Sequence, residues 1–103
     1  MAESFRYQFA WDPAKADDNL AKHDIGFEQA ATVFRDPLAV TVYDSEHSAA
    51  DERWATLGRS DSGALLVVIH TFAETSANSA TVRIISARKA TKPEVRDYEA
   101  PTR

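Results

Sequence analysis

The chain has 103 residues, enough for one small domain with a modest core. It carries no cysteine, which excludes a disulfide framework, a thiolate metal site and a cysteine nucleophile. Its net charge of −4 is unevenly divided: residues 1–52 hold eleven acids and four bases, and residues 53–103 hold five acids and eight bases, a division that suits two partners of opposite sign.

Phe5, Tyr7 and Phe9 alternate with polar residues over Met1–Ala10, the pattern of a short edge strand. Asp12-Pro13 then opens a helix, with Asp12 at the N-cap and Pro13 in the first turn. The spacing carries this helix to about His23 and puts Ala16, Leu20 and His23 on one thin apolar side, so packing against Trp11 and the next helix must stabilise it. Asp24-Ile25-Gly26 breaks it. A second helix follows over Phe27–Arg35, because Phe27, Ala30, Ala31 and Phe34 recur at helical spacing; Asp36-Pro37 ends it. The period then changes to two. Leu38–Asp44 predicts a strand, Ser45–Asp51 a loop, Glu52–Arg59 a second strand and Ser60–Gly63 a turn. Ala64–Phe72 is nearly all apolar, the mark of a covered central strand. Ala73–Ala80 reads as a small-residue polar loop and Thr81–Ala87 as the fourth strand. Thr91 caps a last helix running to about Ala100, and Glu94, three residues on, completes a capping box around Pro93.

These elements make one α+β domain over residues 1–103: two N-terminal helices, a four-stranded antiparallel sheet and a C-terminal helix, with the helices on one sheet face. The two periods predict that Phe27, Phe34, Leu66, Val68, Ile84 and Val95 share one core. The start of the sequence lacks a basic segment followed by an apolar run, and the longest apolar stretch, Ala64–Ile69, is far too short to span a bilayer. A cytoplasmic protein with no membrane partner is the expectation.

Between Arg83 and Lys92 stand four positive charges and no acid. In an acidic chain such a cluster is either a solvated basic turn or the footprint of an anionic partner. The run Arg83-Ile84-Ile85-Ser86-Ala87-Arg88-Lys89-Ala90, followed by Glu94 and Tyr98, resembles the C-terminal signature of the BrnT family, the toxins of a type II toxin–antitoxin system. Other pieces agree and follow in the expected order: Phe9-x-Trp11-Asp12-x-x-Lys15; Asn19-x-x-Lys22-His23-x-Ile25-x-Phe27-x-x-Ala30; Glu52-Arg53; and Val68-x-His70-Thr71. The resemblance implies the same layout of elements, kinship with the RelE-like ribonuclease toxins, and a cognate antitoxin with a ribbon-helix-helix DNA-binding domain. That partner would hold the toxin inactive, and operator DNA would be reached only through it. The chain departs from the pattern around Ala73–Ala80, where many relatives carry a shorter connection and a basic residue soon after the His-Thr pair; here Phe72-Ala73-Glu74 supplies an acid.

The resemblance implies RNA cleavage that inhibits translation and growth, and metal-independent cleavage suits the side chains present. The ribose 2′-hydroxyl attacks phosphorus, a base takes its proton, an acid protonates the leaving oxygen, and cations stabilise the phosphorane. Arg83 and Arg88 are the natural cations, since guanidinium binds phosphate oxygens bidentately; each is otherwise a surface arginine paired with an acid. Their odd separation puts them on opposite faces of a regular strand, so they share a site only if the strand ends or bends before Arg88. Glu52 is a candidate base and Arg53 a further cation, or both are exposed strand-edge charges. His70 suits proton transfer, or is a hydrogen-bonded structural histidine on an apolar strand. Lys89, Lys92, Lys22 and His23 are candidate RNA-binding residues, although His23 also suits a helix C-terminus. Tyr98 either stacks on a base or packs the last helix. His23, His47 and His70 are too scattered for a metal site, there is no glycine-rich phosphate loop, and no cofactor is called for. Two other functions fit the same residues: a catalytically inactive, partner-binding protein of this fold, and a non-enzymatic nucleic-acid-binding module that uses the basic cluster for phosphate contacts.

Overall fold

The computed structural model describes residues 5–47 and 51–100. Residues 1–4 of the expected first strand and 48–50 of the expected loop lie outside the described residues. Strand β1 (Arg6–Ala10) leads into helix α1 (Pro13–His23). Asp12 caps α1 by accepting from the Ala14 N–H at 3.3 Å, and Asp24 ends it in the left-handed conformation, φ 58°. Helix α2 is short, Phe27–Ala31, and tightens into a 3-10 turn over Thr32–Arg35 rather than continuing as the expected α-helix. Strands β2 (Val40–Tyr43), β3 (Trp54–Arg59) and β4 (Leu65–His70) follow. The expected loop at Ala73–Ala80 is instead a hairpin, β5 (Ala73–Ser76) turning into the long β6 (Ser79–Lys89). Helix α3 (Lys92–Glu99) closes the domain with both arms of the capping box formed.

The sheet therefore has six strands, not four, and it is mixed. Its order is β1-β6-β4-β3-β2, with β5 also on β6. Strand β1 runs parallel to β6, pairing Arg6 through Ala10 with Ser79 through Arg83, while the other pairs are antiparallel. The four-stranded antiparallel sheet of a RelE-like layout thus differs in detail from what this chain forms. Such a crossover from β1 to a distant parallel partner leaves no local mark in the sequence.

One face of the sheet carries Leu66, Val68, Val82, Ile84 and Ala87 against Ile25, Phe27, Ala30 and Val33 of the helical hairpin, all of them buried. Phe34 packs on this core from its edge and is partly buried, and Val95 lies outside it. The remaining helix, α3, borders the opposite face, where Glu94 meets Arg88. The helices are thus not all on one side as expected. Tyr98 anchors α3 by donating to Asp36 Oδ2 at 2.5 Å; that carboxylate also accepts the backbone N–H groups of Arg59 and Leu38 at 2.8 and 2.9 Å. Tyr98 is a packing residue here, and Arg59 lies over its ring at 5.5 Å.

The join between α1 and the sheet rests on an amide. Beyond Arg83 the β1 edge of β6 has no strand beside it, and α1 lies there instead. Asn19, which is buried, accepts from the Ala87 N–H at 3.0 Å and donates to the Ala87 and Ile25 carbonyls at 2.9 and 3.0 Å. One carboxamide thereby stands in for a neighbouring strand, satisfying backbone groups that would be costly to bury unpaired. The expected inward residue, Leu20, is 51% exposed.

Candidate active site

The long strand β6 sets out the site. Ile69 of β4 pairs with Ser86, but His70 pairs with Ile84, so Ile85 is an extra residue, a β-bulge. Buried residues at 80, 82 and 84 are followed by the next at 87, as the inward side switches parity across the bulge. Arg83 and Arg88, an odd number apart, consequently face the same side, away from the helical hairpin. This is the bend that a shared site requires, and it falls inside the strand, which runs on through Arg88 to Lys89.

Along that side two hollows adjoin. The first, about 600 Å³, is lined by Lys15, Asp51, Glu52, Arg53, Arg83 and Phe72 among others. Three of the residues expected to act together, Glu52, Arg53 and Arg83, thus converge, although Glu52 and Arg53 lie just ahead of β3 rather than in it. Lys15, one helical turn before Asn19, belongs to the family pattern, and its place in this cleft depends on α1 docking along β6, which no local spacing shows. The second hollow, about 320 Å³, is lined by His23, Ser86, Arg88 and Glu94, with Asp44 and Glu46 on its far wall.

Arg88 in the second hollow is engaged. Its two terminal nitrogens donate to the two carboxylate oxygens of Glu94 at 2.8 and 2.9 Å, and Nη1 also donates to the Lys89 carbonyl at 3.2 Å. Glu94 is itself the capping-box acid, accepting the Thr91 N–H at 2.8 Å. The Arg88 hydrogen bonds hold the Glu94 carboxyl down at about 2, and the same bonds raise the guanidinium further above its ordinary range. A phosphate at Arg88 would have to share the guanidinium with Glu94 or displace it.

His70 lies elsewhere, on the helix side of the sheet with its ring buried. Nε2 is 2.7 Å from the Thr56 hydroxyl, and Nδ1 is 3.0 Å from the Thr71 carbonyl. Burial pushes its pKa down, against the opposing effect of the Thr71 carbonyl. That is the position of a hydrogen-bonded structural histidine. Lys22, Lys89 and Lys92 are exposed, and His23 reaches the second hollow. Among the described residues no three His, Asp or Glu side chains gather where they could hold a metal ion, and no helix is long and apolar enough to cross a membrane.

The family described as the ribonuclease toxin BrnT of type II toxin–antitoxin systems matches residues 11–94. The fold is similar to that of the crystal structure of the Brucella abortus ribonuclease toxin BrnT, with a TM-score of 0.57 and 21% identity over 86% of this chain and 100% of that one. No curated protein matches the sequence. The family match takes in α1, the whole sheet from β2 to β6 and the capping box of α3, and with them both hollows and every charged residue singled out above. The chain belongs to the BrnT family of ribonuclease toxins of type II toxin–antitoxin systems.

Proposed function

We propose that this chain is an active endoribonuclease whose centre is the cleft of Lys15, Glu52, Arg53 and Arg83. The observation that carries the reading is the convergence of two exposed carboxylates, Asp51 and Glu52, and three cations in a single hollow. Glu52 takes the 2′-hydroxyl proton, and Arg83 and Arg53 meet the charge that grows on the phosphorane. Lys15 lies across the cleft as the proton donor to the leaving oxygen, since an ammonium gives up a proton more readily than a guanidinium. Side chains alone supply this chemistry. Arg88, on the same sheet face, guides the next phosphate together with His23; the exposed Lys22, Lys89 and Lys92 add positive charge for RNA elsewhere on the surface, and His70 is structural. The toxin acts on RNA in the cytoplasm, stopping translation and growth. A type II system supplies a protein antitoxin, here of ribbon-helix-helix type, which covers this face and alone contacts operator DNA.

Purified protein incubated with RNA tests the assignment. Arg83→Ala and Glu52→Gln should each slow cleavage by about 10²–10³-fold, the loss typical of one preorganised group, with the melting temperature unchanged because both residues are exposed. Cleavage at the parent rate in both variants overturns the assignment of the cleft. One observation favours a second role for Arg88: its bidentate pairing with Glu94. Arg88→Ala should therefore lower the melting temperature as well as activity, whereas loss of activity alone would return Arg88 to the reacting phosphate.

A further inference from the structure

At the end of the sheet where the cleft opens, the opposite face carries a third cavity, about 340 Å³, bounded by Tyr7, Phe34, Thr41, Trp54, His70 and Phe72. We propose that this cup is a base-binding subsite that receives one unstacked nucleobase of a single-stranded RNA whose phosphates lie in the neighbouring cationic cleft. The inference rests on the ribonuclease reading for the identity of the ligand and extends it to a contact that discriminates bases.

Strand alternation sets the two sites back to back. Arg53 faces the cleft and Trp54 the cup; Thr71 lines the cleft and His70 the cup. Phe72 belongs to both, a shared wall at the rim, and the residue is 44% exposed. Tyr7, on the far wall, is 41% exposed. Two half-exposed aromatic rings on the walls of one cavity are what a stacking platform for bases needs. Phe34 and His70 close the floor edge to face, 4.9 Å apart at 77°, and Tyr7 leans on Phe34 at 5.5 Å. The volume lies at the small end of the range for ligand pockets, roughly 300–1,000 Å³, which suits one ring system rather than a length of chain.

The polar side of the cup has a direction. The Thr71 carbonyl can only accept, so His70 Nδ1 carries a hydrogen and Nε2 of the neutral ring accepts. The Thr56 hydroxyl must then donate to Nε2 at 2.7 Å, and the Thr41 hydroxyl donates to Thr56 at 2.7 Å. With its proton committed, Thr41 offers lone pairs to the cup. An acceptor between aromatic walls recognises the N–H edge of a base and not a purely apolar side chain. Cations on one side of Phe72 and rings with an acceptor on the other match the two halves of a nucleotide.

Fluorescently tagged 2′-O-methyl RNA tetranucleotides, which lack the attacking hydroxyl, test this by anisotropy with the full chain. One is intact, and others are abasic at each position in turn. At one position the abasic probe should bind the parent about tenfold more weakly, the scale of one base stacked on an aromatic ring. Phe72→Ala should weaken the intact probe to the same degree and erase the abasic penalty, as expected when both changes remove one interaction. Thr41→Val should weaken only probes that carry the base. Tyr7→Ala, at an exposed position, gives a second reading should Phe72→Ala unfold. No measurable binding, equal affinity for every abasic probe, or parent affinity in all three variants overturns the proposal; the last is also the result if the cup instead seats an apolar segment of a protein partner. Cleavage of all-ribose RNA separates the two readings. An abasic penalty in a protein that does not cut overturns the ribonuclease assignment and supports the cup, while cutting that is indifferent to abasic sites overturns the cup alone.

Discussion

Asn19→Ala should be among the most damaging single substitutions in this chain. The side chain makes three buried hydrogen bonds, to the N–H and carbonyl of Ala87 and to the carbonyl of Ile25. Each is worth about 1 kcal/mol when made, and a buried donor left unpaired costs about 1–3 kcal/mol. Ala87 and Ile25 are each 1% exposed, so water does not reach their backbone groups without opening the α1 contact. A loss of about 3–4 kcal/mol follows, a large part of the roughly 5–15 kcal/mol that holds a domain folded. Asn19→Asp should cost at least as much, because a carboxylate still accepts from Ala87 but faces two carbonyl oxygens to which it cannot donate. Urea unfolding followed by circular dichroism gives the difference, with Leu20→Ala as the exposed neighbour expected within about 0.5 kcal/mol of the parent. If Asn19→Ala unfolds together with Leu20→Ala, the amide does not act as the missing strand.

Three further perturbations have defined signs. The Arg88–Glu94 pair depresses the Glu94 carboxyl from 4.5 to about 2, so its stabilisation is full above the unfolded value and is lost as pH falls toward the folded one. Solvent screening reduces its worth to about 1 kcal/mol, and Glu94→Gln should flatten the acid limb of a stability–pH curve; an unchanged limb would count against the pair. Burial lowers the pKa of His70 below 6.5, so the unfolded chain takes up that proton first and stability falls as pH drops below the ordinary histidine range. The urea midpoint should therefore decline between about pH 7.5 and about pH 5.5, less so in His70→Gln, and an equal decline in both would assign the effect to other groups. A Cβ on Gly58 would lie 2.8 Å from Val33 Cγ1 and 3.0 Å from Ala39 Cβ, and Val33 is buried in the core. Gly58→Ala should cost about 1–3 kcal/mol through overpacking, read as a lower melting temperature.

What the sequence displayed of the fold, it displayed through local chemistry. Asp12-Pro13 marks the start of α1, Thr91 with Glu94 marks α3, and alternation marks β3 and β4, because caps and pleats act over a few residues. Leu66, Val68, Ile84 and Phe27 were legible as core for the same reason. Phe34 ranked equally by spacing, yet it sits at the rim because the α-helix tightens into a 3-10 turn at Thr32 and rotates the last turn. The β5–β6 hairpin is not legible in the sequence because all four residues of β5 are exposed, so no alternation is needed to hold it. Leu20 outranked Asn19 as an inward residue because hydrophobic periodicity scores carbon and cannot see an amide that replaces a strand.

The candidate site was legible as a set of residue types and not as an arrangement. One run of basic residues along β6 is sorted by a single bulged residue into Arg83, beside Glu52 and Arg53, and Arg88, held by Glu94. No spacing rule supplies that bulge, since a regular strand would have thrown the two arginines to opposite faces. Helix α1 then serves both hollows from one side. Lys15, Asn19 and His23 recur every four residues and share a face; Lys15 enters the first hollow, His23 enters the second, and Asn19 between them is fastened to Ala87. The amide that replaces a strand in the fold is thus the fixed point from which a lysine and a histidine are delivered to the two ends of the site. Loss of Asn19 should disturb the reacting geometry even where the chain still folds.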